Sequence, residues 1–464
     1  MNPDFPLDST ELESVPVYNL DLHVDPENRQ VTGYLQITVT NRSDRNWPDI
    51  YFRLYPNLPN YRGQMRIDSI SSQGLPIPFV YTADRTAIQL VLPEPLLPNA
   101  RATIEITYSL SFPQQKSGYV LFGESQGIIN LPVAYPALAV PERAADGSIG
   151  WHLEVGPSHA DSVFTEIGLF QAKVTVPADV VVAATGSVVT TTTTSDSRKE
   201  WHLVAGPNRE FTLVLSRDFQ VVREEAYGVT VNSYFLPQDR SAGQAAATYA
   251  AAILRVYQDH YGIYPYTELD VVESPLTYRG MEYSGLNEIG IDLYRDRISH
   301  LEFLIAHEVG HQWWYNLVGN DPIQAPWLDE GMTEYGTYIY FRAAHGNQAA
   351  QRLLIRRWVI PYRYLVDHGL DAVVNQPASS FGANYETIVY AKAALFFHAL
   401  HEQVGDETYF RILQTYAQRY RFTIATPADF LAVAQEVSGQ DLQSLYSEWI
   451  LTARTPESAL ESES

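Results

Sequence analysis

Two histidines and a glutamate in one short segment have the types and the spacing of a metal site with its own base. His307, Glu308 and His311 form the pattern His-Glu-x-x-His. Residues four positions apart project from the same face of a helix, so the two imidazole rings converge on one point. Glu308 lies beside that point, where a carboxylate can take a proton from water without becoming a ligand. The pattern predicts hydrolytic chemistry at a divalent metal ion.

A third metal ligand is available downstream. Eighteen residues separate His311 from Glu330. A catalytic zinc ion takes three protein ligands and keeps one position open. A carboxylate buried among the neighbouring tryptophans would be costly unless it met a cation. The chain has no cysteine, so the site must be built from imidazole and carboxylate groups. We therefore predict that His307, His311 and Glu330 hold one Zn²⁺ per chain.

Several neighbouring residues leave more than one interpretation open. Glu334 lies one helical turn after Glu330, and it either accepts a hydrogen bond from a ligating histidine or faces solvent. Tyr385 either lines the same pocket or packs as an ordinary core residue. His398 and His401 are three positions apart on a predicted helix, but no third ligand is evident that would complete a second metal site.

The composition narrows the classes of partner. The chain has 464 residues with 31 Lys and Arg against 54 Asp and Glu, which gives a formal net charge of −23. Such a charge repels phosphate backbones, so we expect no nucleic-acid partner. No apolar run is long enough to span a bilayer, so no membrane insertion is expected. The basic residues form no continuous run, and we expect Arg352, Arg356 and Arg357 to face solvent on a helix.

The elements that position these residues change in character near residue 220. Before it, apolar and polar residues alternate as in half-buried strands, for example over 31–39 and 104–110. Beyond it the spacing becomes helical, and helices are predicted over 241–261, 299–318, 327–344, 386–403 and 427–436. The sequence predicts an α+β protein, with an antiparallel β domain over 1–220 and a mainly helical catalytic domain over 221–455. The acidic residues 456–464 are expected to form a frayed tail.

The longer motif around the predicted ligands is similar to that of a known family. His-Glu-x-x-His-Gln-Trp-x-x-Asn-Leu-Val at 307–318, followed by Trp-Leu-Asp-Glu-Gly at 327–331, resembles the gluzincin zinc aminopeptidases, typified by aminopeptidase N and leukotriene hydrolase. Gly-Met-Glu at 280–282 is similar to the exopeptidase signature Gly-x-Met-Glu-Asn of that family. Tyr-Ala-Lys-Ala at 390–393 is similar to its Tyr-x-Lys-Gly segment. The resemblance covers most of 225–450.

The resemblance implies an activity and a role for each motif residue. The activity is zinc-dependent hydrolysis of the amino-terminal peptide bond of short peptides. Glu308 would be the general base for zinc-bound water, and Tyr390 would donate a hydrogen bond to the oxyanion. Glu282 would bind the free α-amine of the substrate, while the backbone of Gly280 and Met281 would lie along the peptide as an added strand.

The resemblance also implies a fold. A saddle-like antiparallel β domain would precede a thermolysin-like catalytic domain, in a short form without the large carboxy-terminal helical domain of longer members. This chain departs from the motifs at Arg279 and Ala393, where the family has Gly, and at Tyr283, where it has Asn. A polar residue of the β domain usually assists amine binding, and here Gln126 and Asn130 are both candidates.

Two rival functions stay open at this point. The first is an endopeptidase, or a hydrolase of another bond, that uses the same zinc site while Glu282 is only structural. The second is a non-catalytic scaffold that keeps the fold, although a scaffold has no need of all the catalytic residues together. The first residues show no basic start followed by an apolar stretch. The sequence therefore fits either a cytoplasmic protein or an exported one whose signal segment is absent from this chain.

Overall fold

The computed structural model of the chain describes residues 1–143, 148–277 and 279–455. The residues predicted to form an acidic tail, 456–464, lie outside the described residues.

The chain forms two compact units that do not follow its linear order. Unit 1 consists of Met1–Glu154, Thr165–Thr248 and Pro265–Leu301. Unit 2 consists of Val155–Phe164, Tyr249–Tyr264 and the described part of Glu302–Ser464. The predicted domains over 1–220 and 221–455 stay a prediction.

The strands of the described residues all lie in unit 1. Their bounds are β1 Val17–Asp25, β2 Gln30–Thr40, β3 Trp47–Arg53, β4 Gln64–Ser72, β5 Leu75–Pro76, β6 Phe79–Thr82, β7 Ala87–Leu96, β8 Arg101–Ser111, β9 Gly123–Ser125, β10 Ile128–Pro132, β11 Ala137–Leu138, β12 Pro141–Arg143, β13 Ile149–Trp151, β14 Gly168–Pro177, β15 Val181–Ala184, β16 Ser187–Thr193, β17 Arg198–Asn208, β18 Thr212–Ser216, β19 Gln220–Ala226, β20 Val229–Phe235, β21 Glu268–Ser274, β22 Gly280–Tyr283 and β23 Leu286–Gly290.

Two sheets dominate unit 1. The larger one has eight strands in the order β16-β17-β14-β1-β2-β8-β4-β5 and is antiparallel except for the parallel pair β1 and β14. Strand β2 is buried at every second residue, as the alternation over 31–39 predicted. The second sheet has five strands in the order β19-β20-β21-β23-β22, so that β22 lies at its edge, antiparallel to β23. Smaller sheets of four, four and two strands complete the described part of this unit.

The helices lie mostly in unit 2, and the predicted α+β class is confirmed. Their bounds are α1 Arg240–Tyr261, α2 Leu301–Gly310, α3 Trp327–His345, α4 Asn347–Leu353, α5 Ile360–Asp367, α6 Ala393–Val404, α7 Asp406–Tyr420, α8 Pro427–Ser438 and α9 Gln443–Ile450, with π-helical segments at Leu354–Val359 and Glu386–Lys392. Among the described residues, none of these helices combines the length and the apolar character that a bilayer crossing requires.

One predicted helix is shorter than expected. The spacing predicted a helix over 299–318, but α2 ends at Gly310. Beyond it, the backbone amides of Asn316, Leu317 and Val318 donate to carbonyls five residues back, at 3.0–3.2 Å. Tyr315 adopts a φ of 102°, which no helix allows. The segment after α2 therefore forms wide, irregular turns.

The close approach of α3 and α6 depends on a glycine. A Cβ added at Gly331 would lie 2.4 Å from the Cβ of Ala393, well inside the van der Waals distance. Gly331 follows Glu330, and Ala393 lies three residues after Tyr390. This contact therefore brings the segment that carries the tyrosine close to the first turn of α3.

Candidate metal centre

Three segments of unit 2 supply the predicted site. His307 and Glu308 lie in the last turn of α2, and His311 is the first residue after that helix. Glu330 lies in the first turn of α3. All four side chains are buried, and α2 itself is a core helix with almost no exposed apolar residue. The three predicted ligands are therefore held by well-packed elements, away from bulk water.

The three predicted ligand atoms form a nearly equilateral triangle. His307 Nε2 lies 3.1 Å from Glu330 Oε2 and 3.2 Å from His311 Nε2, and His311 Nε2 lies 3.3 Å from Glu330 Oε2. Around a tetrahedral zinc ion with bonds of about 2.0–2.1 Å, ligand atoms are about 3.3 Å apart. The donor set and its spacing fit one zinc ion with a fourth position left open.

Each ligand histidine is oriented through its other ring nitrogen. Nδ1 of His311 donates to the backbone carbonyl of Trp314, 3.0 Å away. Nδ1 of His307 lies 3.1 Å from Oε2 of Glu334. When Nδ1 carries the proton, the lone pair of Nε2 points to the centre of the triangle. Of the two interpretations of Glu334, the structure supports contact with a ligand histidine, since its side chain is not exposed at all.

The electrostatics of the triangle favour a positive charge. Burial lowers the pKa of the His307 ring, but the carboxylates of Glu330 and Glu334 outweigh burial and raise it to about 9. The two rings also lower the pKa of Glu330 well below its usual value, against the effect of its burial. In Glu334, burial is opposed by the guanidinium of Arg357 and by His307, which lower its pKa to about 2. These side chains therefore favour a bound cation at this position.

Tyr390 lies at the same centre. Its Oη donates to Oε1 of Glu330, and its ring stacks on that of His307 with centroids 5.7 Å apart. Burial, and then the charge of Glu330, raise the pKa of the phenol well above 10. The ring of Tyr385 contacts that of Tyr390 edge-on, with centroids 6.1 Å apart. Glu308 completes the group, with a carboxylate oxygen within 4.8 Å of a ring nitrogen of His311.

The predicted substrate-binding residues belong to unit 1. Gly280, Met281 and Glu282 form most of the edge strand β22, where Met281 and Glu282 point to opposite faces. Glu288 lies opposite Met281 in the register, and Asn130 Nδ2 donates to Oε2 of Glu288 at 2.6 Å. Asn130 therefore lies on the face of Met281 rather than that of Glu282.

The second histidine pair forms a network without metal geometry. His398 and His401 both contact the hydroxyl of Tyr335, with His401 Nδ1 2.8 Å from that oxygen. Nε2 of His401 lies 2.7 Å from Asp406. Each of the two rings therefore has a hydrogen-bonding partner within the protein.

Two residues at the centre were not predicted from the sequence. Arg357 and Trp358 both contact Glu334, although Arg357 was expected to face solvent. They follow Glu334 by more than twenty residues, so no local spacing indicates the contact. The expectation of a solvent-facing Arg357 is only half right, since 47% of its side chain is exposed.

Comparisons with known proteins agree with this geometry. Residues 245–449 match the profile described as "Peptidase family M1 domain". The alanine/arginine aminopeptidase of Saccharomyces cerevisiae is 25% identical over 256 residues, which are 50% of this chain and 29% of that protein. Aminopeptidase M1-B of Oryza sativa subsp. japonica is 28% identical over 236 residues, 48% of this chain and 27% of the relative. The chain thus spans less than a third of the length of these curated relatives.

Solved structures extend the likeness over almost the whole chain. The M1 zinc metallopeptidase of Deinococcus radiodurans has a TM-score of 0.68 and 19% identity, covering 94% of this chain and 93% of the other. A mutant of that enzyme bound to a Tyr-Ser-Ala substrate has the same score and identity, covering 94% of both chains. This likeness establishes a shared two-domain fold. Residues 245–449 of this chain are thus similar to the peptidase family M1 domain, and the curated relatives that match this chain are called aminopeptidases.

Proposed function

We propose that this chain is a zinc-dependent aminopeptidase that removes the first residue of short peptides. The observation that carries the proposal is the triangle of His307 Nε2, His311 Nε2 and Glu330 Oε2, with sides of 3.1–3.3 Å and Glu308 beside it. The names of the curated relatives support the same reaction class, since they are called aminopeptidases.

His307, His311 and Glu330 hold the metal through the three atoms of the triangle. Zinc, when bound, polarises a peptide carbonyl and lowers the pKa of water towards about 7. Nδ1 of His311 has a backbone carbonyl as its acceptor, and Nδ1 of His307 lies 3.1 Å from a carboxylate oxygen of Glu334, so both rings have a polar neighbour that favours the orientation of a metal ligand. The protein thereby fixes the position of the metal before substrate arrives.

Glu308 and Tyr390 supply the proton transfer and the hydrogen bond. The carboxylate of Glu308 takes a proton from the attacking water and passes it to the nitrogen of the leaving amine. The phenol of Tyr390 donates to the carbonyl oxygen as negative charge develops on it, which stabilises the transition state more than the ground state.

Strand β22 supplies the peptide-binding surface. It is the edge strand of its sheet, so the backbone groups of Gly280 and Met281 on its outer side can pair with an extended peptide. The carboxylate of Glu282 pairs with the α-ammonium of the first residue, and such an ion pair restricts cleavage to the amino-terminal bond. This role of Glu282 comes from the family resemblance of the Gly-Met-Glu motif.

The decisive variant for the general base is Glu308→Gln, which keeps the shape of the side chain and removes its basicity. We expect kcat to fall by about 10²–10⁴-fold, the usual contribution of a positioned acid–base group, while one zinc per chain is retained. Turnover of an alanine reporter and metal analysis measure the two quantities. Glu402→Gln, at an exposed position, is the matched control. A normal rate in the zinc-loaded variant would remove Glu308 from its role.

Amino-terminal specificity is tested separately. Aminoacyl reporters are compared with the same reporters acetylated at nitrogen, in the parent and in Glu282→Gln. We expect the parent to cleave only the free amines and Glu282→Gln to lose most of that activity. Equal cleavage of blocked reporters would favour an endopeptidase with the same zinc site. A chain that binds zinc but cleaves neither type would be the scaffold.

A further inference from the structure

Two carboxylates of α3 contact the two nitrogens of one imidazole. Glu330 Oε2 lies 3.1 Å from Nε2 of His307, and Glu334 Oε2 lies 3.1 Å from Nδ1 of the same ring. The two glutamates are one helical turn apart, so a single rigid element defines both edges of the ring. Any displacement of the Glu334 carboxylate would rotate His307 and move Nε2 away from the other two ligand atoms.

Glu334 is held in turn by the π-helical segment Leu354–Val359. Nε of Arg357 and Nε1 of Trp358 both donate to Oε1 of Glu334, the latter at 2.7 Å. A second guanidinium nitrogen of Arg357 lies 3.5 Å from Oε2. Glu334 and Trp358 have no exposed surface, whereas 47% of the Arg357 side chain reaches solvent.

Arg357 also contacts the helix that carries the histidine. Its guanidinium lies over the ring of Phe303 in α2, 4.2 Å from the centroid. The side chain of Arg357 therefore contacts α2 through Phe303 and α3 through Glu334. These two helices supply metal ligands in the proposed site. A buried carboxylate without a compensating charge is strongly unfavourable, and Arg357 is the cation that the described contacts provide for Glu334.

We propose that Arg357 is a positioning residue that sets how tightly this chain retains its metal. It holds the Glu334 carboxylate in place, Glu334 orients His307, and His307 completes the ligand triangle. The inference rests on the proposed zinc site and adds to it a control of affinity from a residue that touches neither metal nor substrate. Acceptors behind ligand histidines typically change metal affinity by about 10–100-fold when they are removed.

The test compares Arg357→Met with Arg356→Met, its exposed neighbour in the same segment. The zinc dissociation constant is measured by competition with a chelating dye, and the melting temperature of the metal-free protein is measured in parallel. We expect Arg357→Met to bind zinc about 10–100-fold more weakly and Arg356→Met to bind it like the parent. Arg357→Lys keeps the charge but not the planar pair of donors, so its affinity should lie between those two.

Turnover measured over a range of zinc concentrations distinguishes a positioning role of Arg357 from a catalytic one. We expect the loss of turnover in Arg357→Met to be largest when zinc is limiting and to shrink as zinc is added, with KM within about threefold of the parent because the residue does not touch substrate. Equal zinc affinity in both Met variants would overturn the inference while leaving the proposed peptidase intact. A lower melting temperature without a change in zinc affinity, in Arg357→Met and in Arg357→Lys, would also overturn it. A parent chain that binds no zinc would refute the proposed function itself.

Discussion

Tyr390 is held in place by two side chains that are predicted to bind the metal. Its hydroxyl donates to Glu330, and its ring is stacked on His307. Glu330 and His307 therefore position the phenol, and the same two residues are predicted to bind the metal. In the proposed reaction the hydroxyl would turn only from the carboxylate of Glu330 to the carbonyl oxygen of the substrate.

Replacing Tyr390 by Phe removes the hydroxyl and keeps the ring. We expect kcat to fall by about 10²–10³-fold, as for other single oxyanion donors, with KM changed by no more than a few-fold. Steady-state kinetics on an aminoacyl reporter measures both constants. Tyr385→Phe is the control, because it removes a hydroxyl from a ring that contacts the ring of Tyr390. Equal losses in the two variants would show that the effect is not specific to the hydroxyl of Tyr390.

At the scale of single residues, the sequence predicted the site only where the residues of a motif lie close together along the chain. The pair His307 and His311 could be predicted because four residues separate them on one helix. Glu334 could be predicted as a candidate because it lies one turn after Glu330. Its contact with Arg357 could not, since it depends on how α3 packs against a π-helical segment.

At the scale of elements, the packing of α3 against α6 has no spare volume. Gly331 provides the close approach, and Ala393 fills the space at the position where the family motif has glycine. A side chain larger than hydrogen at 331 would push the tyrosine-bearing segment away from the first turn of α3.

The variant Gly331→Ala tests this packing. We expect it to lower the free energy of unfolding by about 1–3 kcal/mol, the typical effect of overpacking. Adding Ala393→Gly should recover most of the loss, apart from about 1 kcal/mol for a glycine in a helix. Chemical denaturation of the two single variants and the double variant gives the coupling energy. Simple additivity would contradict the proposed contact.

The elements themselves were partly predictable. Alternation of residue types gave β2 and β8, where one face of a strand is buried. The helix over 299–318 was predicted too long, because the apolar pattern continues past Gly310 while the backbone changes its hydrogen bonding. The carbonyl of Trp314 is taken by Nδ1 of His311, a demand that residue periodicity does not reveal.

At the scale of the whole molecule, a net charge of −23 coexists with several acids buried in unit 1. Burial raises the pKa of Glu210 to about 7 and those of Asp270 and Glu288 to about 8. Such groups stay protonated in the folded protein while they ionise in the unfolded chain. Between about pH 4.5 and 8 these three acids bind more protons in the folded state, so their contribution to the free energy of unfolding falls as the pH rises.

Glu288→Gln removes one of these contributions. The amide resembles the protonated acid and can still accept from Asn130. We expect the stability of the variant relative to the parent to improve steadily from pH 5 to pH 8.5, and denaturant midpoints at several pH values measure it. Glu94→Gln, at an exposed position, should show a constant difference. A constant difference for Glu288→Gln as well would contradict the raised pKa.

The two predicted ligand histidines contact different kinds of group through Nδ1. This difference determines which substitutions can alter the metal site. The acceptor behind His311 is a peptide carbonyl, which no substitution at Trp314 deletes. The group behind His307 is the carboxylate of Glu334, to which the replaceable side chains of Arg357 and Trp358 donate hydrogen bonds. Natural or engineered substitutions can therefore change the affinity for the ion through the surroundings of His307, while the contact behind His311 stays the same.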